Sequence, residues 1–198
     1  YTHKNLSRWF EALAPSTPWR RVPWARSRQG RKVPLLRAGD LGAPIRIVLT
    51  ARHHACEAVA SFALEGFMDV VGSDTDAGRW YREKTAVAVL PFMDCDGVEA
   101  GDQGKNRQPH DHNRDDGGNL QDCLDPEVKE LRELAHDWLG AAAVAATIDF
   151  HCPWIRGDRN EEMYLVGGPN QENWARTGDF ADLWEEIVAA IPGAKSVD

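Results

Sequence analysis

The sequence predicts an α/β fold in which a mostly parallel mixed sheet is flanked by helices. The first observation is that short apolar runs, at residues 45–50 and 85–90, alternate along the chain with longer amphipathic segments. Strands that alternate with helices favour parallel pairing, with the helices covering both faces of the sheet. The second observation is that His54 and His151 follow apolar runs, and such sheets bind ligands at the carboxyl ends of their strands.

The N-terminal third of the chain predicts two helices and two strands. Apolar residues at helical spacing predict a helix over residues 3–13. Residues 33–36 are typical of a short strand, which Pro34 confines to an edge because proline cannot donate to a ladder. A buried strand over residues 45–50 then leads into an amphipathic helix over about residues 55–71.

The C-terminal part of the chain continues the alternation around one long polar segment. Residues 93–118 are rich in Asp, Gly, Asn and His, and segments of this length inside a compact domain tend to be functional or disordered. The other predicted elements are a short helix over 76–82, a strand over 85–90, a helix from Asp125 to about 139, a strand ending at His151, a strand near 163–166 and a helix over about 171–190.

The composition indicates a globular protein of one sizeable domain and excludes some partners. The 198 residues are 42% hydrophobic and 27% charged, as in soluble proteins. The net charge of −8 and the scattered basic residues argue against nucleic-acid and membrane-surface binding, since both need clustered positive charge. No run can span a bilayer, and the N-terminus lacks a signal-peptide core. The 4 cysteines form no Cys-x-x-Cys pair, so we expect reduced thiols and a cytoplasmic location.

Three residues in this pattern suggest a zinc site. His54 and Glu57 stand three apart at the start of a predicted helix, so both side chains can reach one ion. His151 ends a predicted strand and would project into the same crevice. Two imidazoles and one carboxylate leave one position of a tetrahedral zinc open, as in a catalytic site. The alternative is that each histidine is a packed residue bonded to backbone. Cys56 and Cys152 stand beside these positions and could offer a thiolate to zinc, but we expect both to be packing residues because neither has a second cysteine at ligand spacing.

The long polar segment adds basic and amide side chains near the predicted crevice. Two arginines and two asparagines can bind a carboxylate in bidentate fashion and support a developing oxyanion. These four residues are Asn106, Arg107, Asn113 and Arg114. The alternative is a solvated loop whose charges partner one another. His110 and His112 are further ligand candidates, although their surroundings favour a positioned polar loop.

Four motifs occur in an order that resembles a known family. They are Ala-Arg-x-His-x-x-Glu at 51–57, Asp-x-Asp-Gly-Val at 94–98, Asp-x-Asn-Arg at 111–114 and Asp-Phe-His at 149–151. Together they resemble the zinc metallocarboxypeptidases of the carboxypeptidase A type, closest to the cytosolic carboxypeptidases. The likeness runs over about residues 1–168. It implies a three-layer α/β sandwich and hydrolysis of the C-terminal peptide bond of peptides or proteins.

The resemblance also implies roles for particular residues. His54, Glu57 and His151 would hold one zinc ion, with His53 a neighbour and not a ligand. Asn113 and Arg114 would bind the C-terminal carboxylate of the substrate. Arg107 would polarise the scissile carbonyl, a role for which Lys105 is less suited.

The chain departs from the family pattern in two places. Asp94 and Cys95 stand where the family has Asn-Pro, which alters local turn chemistry. No glutamate or tyrosine after His151 matches the family's general base or its substrate-covering tyrosine. We therefore expect residues 1–198 to be a catalytic domain that is incomplete at its C-terminus, with the base further along.

Two other functions fit the same motifs. Small-molecule amide hydrolases resembling aspartoacylase and succinylglutamate desuccinylase share the His-x-x-Glu and later His plan. A non-catalytic zinc-containing module that binds C-terminal tails is the second alternative, which the missing base favours. The sequence leaves the oligomeric state open.

Overall fold

The computed structural model describes residues 1–13, 15–116, 118–140, 142, 144–166 and 170–193. The chain divides into two compact units, Tyr1–His151 and Cys152–Asp198. The first unit contains the sheet, and the second contains one long helix.

The elements of the first unit alternate much as the sequence predicts. The strands are β1 (Arg20–Val22), β2 (Leu35–Gly39), β3 (Ile45–Ala51), β4 (Thr85–Leu90) and β5 (Val144–Phe150). The helices are α1 (His3–Ala12), α2 (Val59–Gly72), α3 (Asp76–Lys84), α4 (Cys95–Ala100) and α5 (Pro126–Leu134), with 3-10 helices at His112–Asp116 and Leu120–Asp122 and a π-helical turn at Ala135–Leu139. In the second unit, α6 spans Gln171–Ala189, close to the predicted helix.

The five strands form one mixed sheet in the order β1-β2-β4-β3-β5. Strand β3 pairs in parallel with β4 on one side and β5 on the other, and β2 joins β4 and β1 in antiparallel fashion. The predicted α/β class with a mixed sheet is confirmed. The central position of β3 places its carboxyl end between those of β4 and β5.

Helices cover both faces of this sheet, because alternate residues of its strands are buried on opposite sides. One core cluster joins strand residues to α1 and α2, through Leu6, Leu36, Leu49, Leu64, Met68 and Val89. The other cluster lies against α5, through Leu35, Val48, Ala88, Leu90 and Val128. Strand β4 is buried along its whole length, as expected for a central strand of a three-layer fold.

Three predicted elements differ from the structure. The strand predicted at 33–36 begins at Leu35 and is not an edge, since β1 and β4 flank it. Pro34 lies just before the ladder, so its missing N–H interrupts no strand pairing. The helix predicted from residue 55 begins at Val59. The described residues 163–166 lie outside any strand of the structure.

The polar segment 93–118 contains two short helical pieces. Helix α4 occupies its first part, where the side chain of Asp94 accepts a hydrogen bond from the Gly97 N–H as the N-cap. The 3-10 helix at His112–Asp116 occupies its last part. Both pieces lie at the edge of the sheet at which β3 and β4 end, because the Asp94 N–H donates to the carbonyl of Arg52 at 3.0 Å.

Candidate metal centre

The parallel pairing of β3 and β5 brings the predicted ligand residues to one place. In this ladder Thr50 faces Asp149, and Ala51 faces Phe150. Parallel strands end at the same edge of a sheet, so the residues just beyond them emerge side by side. His54 follows β3 by three residues, and His151 follows β5 directly.

The three predicted metal ligands, His54, Glu57 and His151 (hereafter the trio), lie close together. His54 Nδ1 lies 2.9 Å from Glu57 Oε1, and His151 Nδ1 lies 2.7 Å from Glu57 Oε2. One ligand atom from each residue lies within 4.8 Å of the other two. His54 and Glu57 are buried, and His151 is partly buried. Two imidazole nitrogens and a carboxylate at these separations fit a single zinc ion with an open position.

A turn, and not a helix, brings His54 and Glu57 together. The Glu57 N–H donates to the His54 carbonyl at 3.1 Å, and α2 starts only at Val59. The reason is the backbone of Arg52, whose φ of 67° lies in the left-handed region and redirects the chain after β3. A turn places residues i and i+3 close together much as a helical turn does, so the predicted pair forms by a different route.

Hydrogen bonds from the side chain of Arg52 stabilise this turn. Its guanidinium is buried and donates to the carbonyl of Ala55 at 2.9 Å, the carbonyl of Tyr1 at 3.0 Å and the hydroxyl of Ser61 at 3.0 Å. The guanidinium also lies 5.5 Å from the ring centre of Phe92. Arg52 stands inside the first motif, but the sequence alone does not indicate this role for it. The buried network offsets the cost of the left-handed backbone at a site that needs it.

Two aspartates lie on the far side of the imidazoles. Asp111 Oδ1 lies 3.3 Å from His54 Nε2. Asp149 Oδ2 lies 2.7 Å from His151 Nε2, and the Thr50 hydroxyl donates to Asp149 Oδ1 at 2.7 Å. The hydrogen bond to Asp149 keeps a proton on His151 Nε2 and favours metal binding at Nδ1, and Asp111 makes a longer ion-pair contact with the corresponding nitrogen of His54. Both aspartates stand within the sequence motifs, but the motifs alone do not indicate this role.

The carboxylates around His151 strongly affect its protonation. Burial lowers the pKa of His151, but the hydrogen bonds to Asp149 and Glu57 outweigh it and raise the pKa to about 10. Burial has the opposite effect on Asp149 and raises its pKa. The hydrogen bond from His151 outweighs burial, so the pKa of Asp149 lies below its usual value. The metal-free pocket therefore binds a proton where a cation would lie.

Of the two predicted carboxylate-binding residues, Asn113 lies beside the trio and Arg114 lies beside Asp111. Asn113 Nδ2 lies 3.2 Å from His151 Nε2. The guanidinium of Arg114 is exposed, with Nη2 3.7 Å from Asp111 Oδ2. An exposed arginine next to a buried metal-type site is suited to meet the carboxylate of an incoming ligand.

The predicted carbonyl-polarising arginine lies elsewhere. The Arg107 guanidinium forms an ion pair with Asp94 and lies 3.8 Å from Asp102 Oδ2. A basic group of this segment that does reach one of the three ligands is Lys105, whose Nζ lies 3.8 Å from Glu57 Oε1. The structure therefore does not bring Arg107 to the three ligands, and its catalytic role stays a prediction.

Two other buried histidines of this region, His53 and His112, contact each other, and the His53 ring centre lies 6.5 Å from that of His151. His53 Nδ1 lies 3.1 Å from His112 Nδ1, and His112 Nε2 lies 3.4 Å from Glu127 Oε1. Both imidazoles are buried. The expectations that His53 is a neighbour and not a ligand, and that His112 belongs to a positioned polar loop, stay predictions.

Comparison with known families decides what kind of protein this is. The sequence profile of the zinc carboxypeptidases matches residues 6–151. The chain belongs to the zinc carboxypeptidase family. The matched range contains all four motifs and ends at His151.

Curated zinc carboxypeptidases give the same result. Cytosolic carboxypeptidase 2 of Xenopus tropicalis is 30% identical over 105 residues, which are 53% of this chain and 11% of that protein. Cytosolic carboxypeptidase 6 of Caenorhabditis elegans is 24% identical over 145 residues, which are 72% of this chain and 30% of that protein. The chain thus spans less than a third of the length of these relatives.

Solved structures confirm the carboxypeptidase fold. A metallo-carboxypeptidase from Burkholderia cenocepacia aligns with 100% of this chain at a TM-score of 0.72 and 17% identity, and the chain covers 54% of it. A succinylglutamate desuccinylase from Silicibacter aligns with 87% of the chain at a TM-score of 0.51 and 15% identity, and the chain covers 51% of it. Among the helices that the structure describes, none has the length and apolarity to cross a membrane.

Proposed function

We propose that the protein is a zinc-dependent metallocarboxypeptidase that hydrolyses the C-terminal peptide bond of peptides or proteins. The observation that carries this proposal is the convergence of His54 Nδ1, His151 Nδ1 and the carboxylate of Glu57, each within hydrogen-bonding distance of its neighbour. Family membership supports it, since the matched profile is that of zinc carboxypeptidases.

His54, Glu57 and His151 would hold the zinc ion. Bound zinc supplies a Lewis acid that polarises the scissile carbonyl and lowers the pKa of water to about 7. Asp111 and Asp149 would hold the imidazoles in the orientation that zinc binding requires. No residue of the chain is assigned as the base that moves the proton from water to the leaving amine.

Asn113 and Arg114 would bind the free carboxylate of the substrate and so select its C-terminal end. The guanidinium of Arg114 is exposed, and its position near Asp111 keeps it beside His54. A planar guanidinium and an amide can bind a carboxylate through several hydrogen bonds, which fixes the orientation of the peptide. Arg107 would polarise the carbonyl, and for this its guanidinium has to turn from Asp94.

The decisive experiment compares peptides that have free and amidated C-termini. In the full-length protein Arg114→Ala should lose most of its kcat/KM on free C-termini and little on amidated ones. Arg176→Ala, at an arginine of α6 that is similarly exposed, is the matched control and should change neither. Equal loss on both peptides, or no loss on either, would overturn the assigned role.

The same assay separates the proposed activity from its rivals. Turnover of acyl-amino acids in place of peptides would point to the small-molecule amide hydrolases, whose fold also matches. Zinc and peptide binding without turnover would point to a tail-binding module. The names of the curated relatives support our inference that the protein acts in the cytoplasm.

A further inference from the structure

A second group of metal-ligand side chains lies away from the trio. His110, Asp115 and Asp125 each offer a ligand atom within 4.8 Å of the other two. His110 and Asp115 belong to the loop that carries Asn113 and Arg114, and Asp125 is the N-cap residue of α5. The cluster therefore lies where the substrate-binding loop meets the start of a core helix.

The two oxygens of Asp115 have different surroundings. Oδ2 accepts hydrogen bonds from the backbone N–H groups of Leu124 and Asp125, both at 2.6 Å, and from the thiol of Cys123 at 3.3 Å. Three donors fix the orientation of the carboxylate. Oδ1 is left facing His110 Nε2 at 2.7 Å. The geometry thus presents one carboxylate oxygen and one imidazole nitrogen to the same point.

Asp125 is a buried carboxylate with little to neutralise it. The residue is 5% exposed, and its carboxylate does not cap α5. Within the described residues its side chain accepts no hydrogen bond, and its one ion pair is with Arg28 at 3.9 Å. A buried carboxylate without hydrogen bonds is costly unless a cation binds it.

We propose that His110 Nε2, Asp115 Oδ1 and the carboxylate of Asp125 bind a divalent transition-metal ion of the zinc class. One imidazole and two carboxylates are ordinary ligands for such an ion, and the ion neutralises the two buried negative charges. Cys123 is a hydrogen-bond donor in this site and not a ligand, because its thiol contacts Asp115 Oδ2 and the carbonyl of Asp125 at 3.4 Å.

The role of this ion is structural. It joins the 3-10 helix that carries Asn113 and Arg114 to the first turn of α5. The position of the proposed carboxylate-binding pair then depends on α5, whose residue Val128 is buried in the core. The alternative is a plain ion pair between a partly exposed histidine and Asp115.

Metal stoichiometry tests the proposal independently of the proposed function. The full-length protein, loaded with zinc chloride, dialysed and analysed for metal by mass spectrometry, should hold two ions. Asp125→Asn, which keeps the side-chain shape, and His110→Gln should each lose one of them. His151→Gln should lose the other. Circular dichroism checks that each variant folds, and His110 is partly exposed, so its replacement is well tolerated.

Matched controls exclude adventitious binding. Asp122→Asn removes an exposed aspartate of the neighbouring segment, and His136→Gln removes an exposed histidine; both variants should keep two ions. One ion in the parent protein that only His151→Gln removes would overturn this second site and leave the proposed function intact. One ion that only His110→Gln and Asp125→Asn remove would support the second site and count against the first. Retention of two ions by both variants would overturn the second site.

Discussion

Asp111 Oδ1 lies 3.3 Å from His54 Nε2, on the opposite edge of the imidazole from Glu57. Its other oxygen lies 3.7 Å from Arg114 Nη2. One carboxylate therefore contacts both a proposed metal ligand and a proposed substrate-binding residue. This contact couples the polar loop to the turn that follows β3, two parts of the chain that are far apart in sequence.

The position of Asp111 predicts that it tunes metal affinity. Asp111→Asn should weaken zinc binding about 10–100-fold, as the loss of a carboxylate partner of a ligating histidine does. The amide can donate to Nε2 and so favour the wrong tautomer of His54. Competition with a chromophoric chelator measures the change. Asp179→Asn, at an exposed position of α6, is the control, and equal affinities for the two variants would contradict the assigned contact.

The protonation of His151 predicts that zinc binding releases a proton. The pKa of about 10 means that the metal-free imidazole is protonated at neutral pH and has no free lone pair. Zinc has to displace this proton, so the apparent affinity for zinc should rise with pH until about pH 10. Zinc binding at neutral pH should release one proton from His151. Calorimetry in two buffers of different ionisation enthalpy measures that number.

Asp149→Asn provides the matching variant for this proton. Without the carboxylate beside Nε2, the pKa of His151 should fall, and proton release on zinc binding should end at a lower pH than in the parent protein. An unchanged pH dependence of the proton count would show that Asp149 does not hold the proton on His151.

The trio could be predicted from the sequence because the prediction depends on the order of the motifs and on their positions at the ends of strands. His54 and His151 follow neighbouring parallel strands, and a sheet brings such residues together whatever the local backbone does. The helical route between His54 and Glu57 was wrong, because hydrophobic periodicity reports the buried face of α2 and not its first residue. The left-handed conformation of Arg52, which ends the strand, leaves no signature in a non-glycine residue.

The side-chain contacts within the polar loop could not be predicted from the sequence. Its side chains are positioned by one another and by backbone groups distant in sequence, as where the Cys56 N–H donates to the carbonyl of Gln103 at 3.2 Å. The family resemblance implied that Arg107 polarises the carbonyl, whereas the structure pairs its guanidinium with Asp94. Charges in a loop have many possible partners, and no periodicity selects one of them.

Gly104 lies so close to the turn that carries His54 and Glu57 (the metal turn) that a larger side chain there would displace this turn. A Cβ at Gly104 would lie 2.6 Å from the Ala55 nitrogen and 2.8 Å from His54 Cα, with φ at +108°. Gly104→Ala should therefore displace the turn, lower the free energy of unfolding by about 2–3 kcal/mol or more and weaken zinc binding. Urea unfolding and chelator competition measure the two effects.

Gly101 is the matched control for this glycine. Its φ is +73°, but a Cβ there would meet nothing within 4 Å. Gly101→Ala should cost only the left-handed backbone penalty of about 1–2 kcal/mol, with unchanged zinc affinity. Equal effects of the two substitutions would show that the contact with His54 and Ala55 does not constrain the metal turn.

Glu127 predicts a pH-dependent gain in stability when its charge is removed. The residue is 2% exposed, and burial raises the pKa of its carboxyl to about 7. The folded protein therefore binds this proton more tightly than the unfolded chain, and folding is penalised increasingly as pH rises from about 4.5 through 7. Glu127→Gln should then raise the free energy of unfolding by about 1–3 kcal/mol above pH 7 and by almost nothing near pH 4.5.

Urea unfolding at several pH values measures the difference between Glu127→Gln and the parent protein. Glu133→Gln, at an exposed position of the same helix, controls for the change in net charge and should show little pH dependence. Gln can still accept a hydrogen bond from His112, so loss of that contact does not confuse the result. A gain of the same size at both ends of the pH range would mean that packing, and not the buried charge, distinguishes Glu127 from Gln at this position.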